Sequence, residues 1–166
     1  MTPAFLNALA KTLGYEGGIS DHPEDGGGRT NWGITQRTYD AYRRTTGEAP
    51  RPVDDMTDRE MREIYWNDYW LPCRCDDLPP PIARAVFDMA VNSGVWNAKI
   101  TLQRSLHVRA DGVIGPGTIE EAKRSSVLPF LRKRAGFIQE IIATKPSQVV
   151  FLEGWINRLI EQAWNP

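Results

Sequence analysis

The 166-residue chain is predicted to fold as a mainly α-helical domain with little or no β-structure. Three observations carry this expectation. Apolar residues recur at intervals of three and four along most of the chain, helix-cap signals stand where such stretches begin, and only Trp32 to Thr35 offers even a short strand-like run. The length suits one domain with a real core, and no internal repeat or low-complexity segment interrupts it.

Thr2 and Pro3 can serve as cap and first residue of a helix whose Phe5, Leu6, Leu9 and Leu13 share a face and which ends near Tyr15. A glycine-rich loop follows. A short helix is expected from Thr35 to about Arg44, and Pro50, Pro52 and Asp54-Asp55 mark a connection. Thr57 and Glu60 form a capping-box pattern, continued at helical spacing by Met61, Ile64, Tyr65, Asp68 and Tyr69 until the tract Leu71 to Pro81 breaks it. Ile82 to Ser93 places Ile82, Val86, Met89 and Ala90 on one stripe and closes at Gly94, a natural left-handed cap. Four further helices are expected: Trp96 to Leu106, Thr118 to Ser125, Leu128 to Ala143 and Ser147 to Trp164. The last two carry stripes destined for the core, through Phe130, Leu131, Phe137, Ile138 and Ile141 and then Val150, Phe151, Trp155, Leu159 and Ala163.

Charge is nearly balanced, at 20 basic against 21 acidic residues, which argues against a nucleic-acid binder that relies on phosphate neutralisation. No apolar run approaches the length of a bilayer span, and the first residues lack the basic start and apolar stretch of a secretory signal. Synthesis in the cytoplasm is the expectation. Cys73 and Cys75, the only cysteines, are read as reduced thiols, since cysteines two apart rarely form an unstrained disulfide. With two histidines in the chain, neither a catalytic metal nor another cofactor is expected. Arg132-Lys133-Arg134 reads as a solvated basic face, and Asp111-Gly112 as a tight turn.

One segment reads as chemistry. Glu16 follows the first helix and is succeeded by Gly17-Gly18, Asp25 lies nine positions on, and Thr30 lies five beyond that. The intervening glycines and proline leave little chance of a helix, so the loop can fold back and bring Asp25 opposite Glu16. Two carboxyl groups facing each other across a gap are what glycoside hydrolysis requires, one donating a proton to the leaving oxygen and the other activating water or attacking. The segment from Glu16 to Thr30 is locally acidic, which a neutral or cationic glycan tolerates and a polyphosphate does not. Spacing alone leaves the plain alternatives open: Glu16 solvated at a helix end, Asp25 an ordinary turn residue, Thr30 a part of turn geometry. The chain is rich in aromatics, with six tryptophans and five tyrosines, and sugar rings stack on such side chains. Trp32, Tyr65, Trp66, Tyr69 and Trp70 are candidates for a cleft, against the alternative that they are core. Asn92 either hydrogen-bonds an N-acetyl group or caps its own helix.

The run Glu16-Gly17-Gly18-Ile19-Ser20-Asp21-His22-Pro23-Glu24-Asp25-Gly26-Gly27-Gly28-Arg29-Thr30-Asn31-Trp32-Gly33-Ile34-Thr35-Gln36 closely resembles the signature of glycoside hydrolase family 108, phage endolysins and related bacterial muramidases with a lysozyme-like fold. Phe87 to Gly94 looks like the family's second block, and Ala110 to Thr118 is similar to the block opening its peptidoglycan-binding C-terminal region. The resemblance implies one lysozyme-like domain over 1–166, with a catalytic lobe at 1–94 and a peptidoglycan-binding helical region at 95–166. It implies Glu16 as general acid, Asp25 as partner carboxylate and Thr30 as the residue that helps hold the attacking water. The implied activity is an N-acetylmuramidase, inverting, with carboxyls roughly 6.5 to 9.5 Å apart. Of the candidates read from the residues themselves, Trp32, Tyr65, Tyr69, Trp70 and Asn92 are taken as the expected substrate contacts. A lytic transglycosylase on the same bond, a chitinase and a non-catalytic wall-binding protein are the rivals. Peptidoglycan strands are the implied partner, reached through a holin or another export route, and the chain is expected to act as a monomer.

Overall fold

The computed structural model describes residues 1–14 and 30–165. Glu16 and Asp25, and the expected loop around them, lie outside the described residues. The chain forms two compact units, one of Pro3–Asp68 and one of Tyr69–Pro166. Both are helical, and the β-structure among the described residues is one two-stranded ribbon, in keeping with the mainly α lysozyme-like class. No described helix is long and apolar enough to cross a membrane.

The first unit opens with α1 (Pro3–Leu13), which buries Phe5, Ala8, Leu9 and Thr12. That stripe follows the helical repeat of three and four more strictly than the expected face did. Leu6 is exposed and Leu13 only half-buried, because position 8 and not position 6 shares the inward side with Phe5 and Leu9. Strands β1 (Thr30–Asn31) and β2 (Ile34–Thr35) pair antiparallel, Thr30 opposite Thr35 and Asn31 opposite Ile34. Thr35 then caps α2 (Gln36–Thr45), its hydroxyl accepting the Thr38 N–H at 3.2 Å. The expected capping box is formed in full on α3 (Asp58–Tyr65): Thr57 accepts from the Glu60 N–H, and Glu60 accepts from the Thr57 N–H at 2.8 Å. Beyond Tyr65 the expected continuation is not α-helical. Trp66–Trp70 form a π-helical turn, so the register of three and four is lost and Asp68 is exposed.

The second unit is built on α4 (Pro80–Ser93). Instead of one apolar stripe, every residue from Ile82 to Ala90 is buried, including Arg84 and Asp88. A helix buried all round is the centre of a helical core. It packs against α5 (Val95–Ser105) and α7 (Leu128–Thr144), and α7 in turn packs against α5 and α8 (Leu152–Trp164). Gly94 ends α4 and starts α5 with φ 88° and ψ 148°. Its φ is positive as expected, but the extended ψ takes it out of the left-handed helical well into a region open essentially to glycine, so the chain turns at once into the next helix. α6 (Pro116–Arg124) follows a turn built on Gln103, whose amide accepts the Gly112 N–H at 2.8 Å and donates to the Asp111 carboxylate at 2.8 Å. The same carboxylate accepts the Val113 N–H at 3.0 Å, as a tight turn at Asp111-Gly112 requires. Cys73 and Cys75 are separate buried thiols, and burial pushes the Cys75 thiol up.

Two sequence expectations fail in this unit, for one reason. Arg134 is not on a solvated face; it is 3% exposed, and its Nη1 donates to Asp88 Oδ2 at 2.7 Å and to Gln162 Oε1 at 3.2 Å. Arg158 reaches Asp88 Oδ1 at 3.0 Å. Residues 146–151 form a 3₁₀ stretch, and α8 turns Arg158, Leu159 and Gln162 inward while Val150 is 75% exposed and Phe151 also faces solvent. The inner face of α8 is thus chosen by an ion triad with Asp88 and not by its most apolar residues. Arg84 adds a second tie, with Nη2 2.8 Å from Glu161 Oε1 and Nη1 bonded to the Asn165 carbonyl at the end of α8.

Candidate active site

Thr30 is the described member of the proposed catalytic set. It is 7% exposed, at the start of the β-ribbon. The ribbon is closed by Trp32 and Gly33 with φ of 48° and 73°. Positive φ at both central residues is the type I′ pattern that matches the twist of paired strands, and it is usually met by Asn-Gly. A tryptophan there costs roughly 1–2 kcal/mol of backbone strain, which the surroundings must offset. The Tyr65 hydroxyl does so directly, donating to the Trp32 carbonyl at 2.6 Å.

Further ties fix the ribbon to the rest of its unit. Asn31 Nδ2 donates to the Val53 carbonyl at 3.1 Å. Gln36 accepts the Val53 N–H at 2.6 Å and donates to the Arg51 carbonyl at 2.9 Å and to Asp40 at 2.7 Å. Behind these, Glu60 gathers Arg43 at 2.8 Å, the Tyr39 hydroxyl at 3.0 Å, the Thr57 hydroxyl at 2.7 Å and the Arg51 guanidinium. Burial alone would raise the Glu60 carboxyl. The bonds from Thr57, Tyr39 and Arg51 outweigh it and hold the group down to about 2. A charged, fully engaged carboxylate of this kind serves as a fastening, not as a proton donor. Its effect is to tie α2, the stretch that carries Arg51 and the start of α3 to one another.

Among the proposed substrate contacts, Trp32 and Tyr65 belong to the first unit and are joined by the bond just described. Trp32 is half-buried and Tyr65 fully buried. Tyr69, Trp70 and Asn92 belong to the second unit. Tyr69 is half-buried, whereas Trp70 is buried edge-on to Phe87 with ring centres 5.5 Å apart. Asn92 is exposed and turns its amide back to the Asp88 carbonyl at 2.9 Å, within its own helix. Trp66 meets Phe5 edge-on at 5.0 Å. Among the described residues no group of histidine, cysteine, aspartate and glutamate is arranged to hold a metal.

Sequence reasoning did not single out Asn31, Gln36 or Arg51. Asn31 and Gln36 lie within the signature run, but the partners they share beyond α2, Arg51 and Val53, lie before and at the start of a short 3₁₀ turn (Val53–Asp55), which no periodicity foretells. Asp68 was also passed over as chemistry. Neighbouring atoms crowd its carboxyl and push it above the ordinary aspartate range, although the residue as a whole is exposed. The shift describes the setting of the carboxyl and not an enclosed side chain.

Residues 9–94 match the family Glycosyl hydrolase 108, and residues 97–160 match the family described as "Predicted Peptidoglycan domain". No curated protein matches the chain. The solved structure of Brucella abortus SagA is similar to it, with a TM-score of 0.78 and 30% sequence identity over 95% of this chain and 90% of that one. With family matches over both the signature-bearing and the C-terminal regions and a solved structure alike along almost its whole length, this chain belongs to the glycosyl hydrolase 108 family and is a peptidoglycan hydrolase.

Proposed function

We propose that the enzyme is an N-acetylmuramidase that hydrolyses the β-1,4 bond between N-acetylmuramic acid and N-acetylglucosamine with inversion. Glu16 protonates the glycosidic oxygen while a water held by Asp25 and Thr30 attacks the anomeric carbon from the opposite face. The observation that carries this reading is the setting of Thr30: a buried residue at the start of a ribbon whose turn is held by Tyr65 at the Trp32 carbonyl and whose neighbours Asn31 and Gln36 bond Val53. A ribbon fixed in this way suits a residue that must position a nucleophile. Of the five substrate contacts, Trp32 and Tyr69 have the best support, because both keep part of their surface open. The chain works as a monomer after synthesis in the cytoplasm, and a holin or another export route brings it to the wall.

The test is mass spectrometry of fragments released from purified Gram-negative peptidoglycan, with Glu16→Gln protein as control. Fragments ending in reducing N-acetylmuramic acid, absent with the variant, are expected. Anhydro-ended fragments would make the enzyme a lytic transglycosylase and remove the need for a held water. Substantial lysis by Glu16→Gln would end the assignment of the acid.

A further inference from the structure

We propose that the C-terminal unit carries a second binding site, a basic groove that takes the carboxylate-bearing stem peptide of peptidoglycan. The proposal rests on the reading of the chain as a peptidoglycan hydrolase and adds which part of the polymer this region holds.

The groove is a cavity of about 840 Å³ between the end of α5 and the outer face of α7. Arg104 and His107 line it from the α5 side, and Arg132, Lys133, Phe137 and Glu140 from α7. On α7 these positions fall within one surface stripe, and Gly136 in the middle leaves open space where a side chain would stand. The volume lies in the range of small-ligand sites.

Two independent features mark it as more than a solvated surface. The first is charge without partners. Arg74, Arg84, Arg109, Arg124, Arg134 and Arg158 of the same unit each pair with a carboxylate. Arg104, Arg132 and Lys133 pair with none among the described residues, as do Lys99, Lys123 and Lys145, but the first three alone of that set line one cavity, all of them exposed. Three like charges so placed repel each other, and an anionic ligand relieves that repulsion. The second feature is His107. α5 ends in a Schellman turn, with the His107 N–H on the Arg104 carbonyl at 3.4 Å and the Val108 N–H on the Gln103 carbonyl at 3.1 Å. The left-handed position of that turn usually belongs to glycine, yet here a histidine holds it at φ 57°. The strained backbone presents an imidazole to the groove where glycine would end the helix at lower cost.

The mixture of charges selects the ligand. Glu140 stands in the lining beside the three fixed cations. A phosphate polymer would meet repulsion from it. A stem peptide offers several carboxylates for the cations and an ammonium on its diamino acid for Glu140, while Phe137 suits the methyl groups of its alanines. The lining residues Thr101 to Glu140 all fall inside the stretch 97–160 that matches the peptidoglycan domain family.

The experiment measures equilibrium binding of the full chain to three soluble probes: the disaccharide tetrapeptide, the free tetrapeptide and the peptide-free disaccharide. Wild type is compared with Arg132→Gln/Lys133→Gln and with Lys123→Gln, an exposed cation outside the groove. The double variant is expected to weaken both peptide-bearing probes by roughly tenfold or more, the worth of one charge-assisted hydrogen bond, and to leave the disaccharide and the circular dichroism spectrum unchanged. Lys123→Gln should bind as wild type. Equal binding of the disaccharide with and without its peptide, or a double variant indistinguishable from wild type, overturns the proposal. So does loss of binding to phosphatidylglycerol vesicles with tetrapeptide binding intact, which would assign the groove to a lipid surface. Hydrolysis of whole peptidoglycan, read separately by its fragments, distinguishes failure of this site from failure of the muramidase reading.

Discussion

Replacing Asp88 with asparagine should cost more stability than any other single change in the C-terminal unit that preserves side-chain volume. The carboxylate is 1% exposed and is the shared partner of two guanidiniums, Arg134 at 2.7 Å and Arg158 at 3.0 Å, themselves 3% and 8% exposed. Removing one partner of a buried ion pair costs about 3–5 kcal/mol, because the remaining charge stays out of water without compensation. Here one substitution strands two charges, so the loss should reach at least the lower bound, or roughly 6–20 °C in melting temperature for a chain of this size. Arg134→Met should cost less, since Asp88 keeps Arg158. In a double-mutant cycle Arg134→Met should be milder in the Asp88→Asn background than alone. Urea unfolding followed by far-ultraviolet circular dichroism measures all four proteins. A loss below about 1 kcal/mol for Asp88→Asn, the size of an exposed pair, would refute the reasoning.

The folded Glu60 carboxyl titrates near about 2, below its unfolded range, so its contribution is fully present above about pH 4.3 and is lost as pH falls toward 2. Wild type should lose stability across that window relative to Glu60→Gln; parallel curves would show that the Thr57, Tyr39 and Arg51 bonds do not lower it. Tyr65→Phe removes the 2.6 Å bond to the Trp32 carbonyl and should cost about 0.5–1.5 kcal/mol, with a fall in lytic rate at unchanged fold, and an unaltered rate would detach the ribbon from catalysis. Gly112 has φ +72°, and a Cβ there would lie 2.3 Å from the Trp96 ring. Gly112→Ala should therefore cost at least about 1–2 kcal/mol and shift an indole N–H resonance; a silent spectrum would mean the ring does not rest on that turn.

What the sequence reveals here is what is local. The Thr57 and Glu60 capping box, the Thr35 cap and the glycine at 94 each act over three or four residues and could be read directly. The inner face of α8 could not, because Arg158 is drawn inward by a carboxylate 70 positions away, and a periodicity argument ranks arginine last among core residues. The same partner, 46 positions from Arg134, hid that residue's burial. In the candidate site, Thr30 was proposed from the motif, whereas the ties of its neighbours Asn31 and Gln36 to Val53 and Arg51 were not foreseen, since those partners lie at a short 3₁₀ turn and the residues before it, 15 to 22 positions away. Glu16 and Asp25 stand on motif evidence, being outside the described residues.

The two family matches abut at residues 94 and 97, which invites cutting or swapping the chain there. Gly94 makes that a poor place for a seam. It joins α4 to α5 without a linker, inside one compact unit, and α4 is buried from Ile82 to Ala90 with α5 and α7 packed against it. A fragment ending at 94 would bare the helix from Ile82 to Ala90 along with the charge of Asp88, and should aggregate rather than fold. A graft that keeps the wall-binding helices together with Tyr69 to Ser93 preserves the covered surfaces, so exchange between such enzymes is best attempted near Asp68, where the compact units meet along the chain.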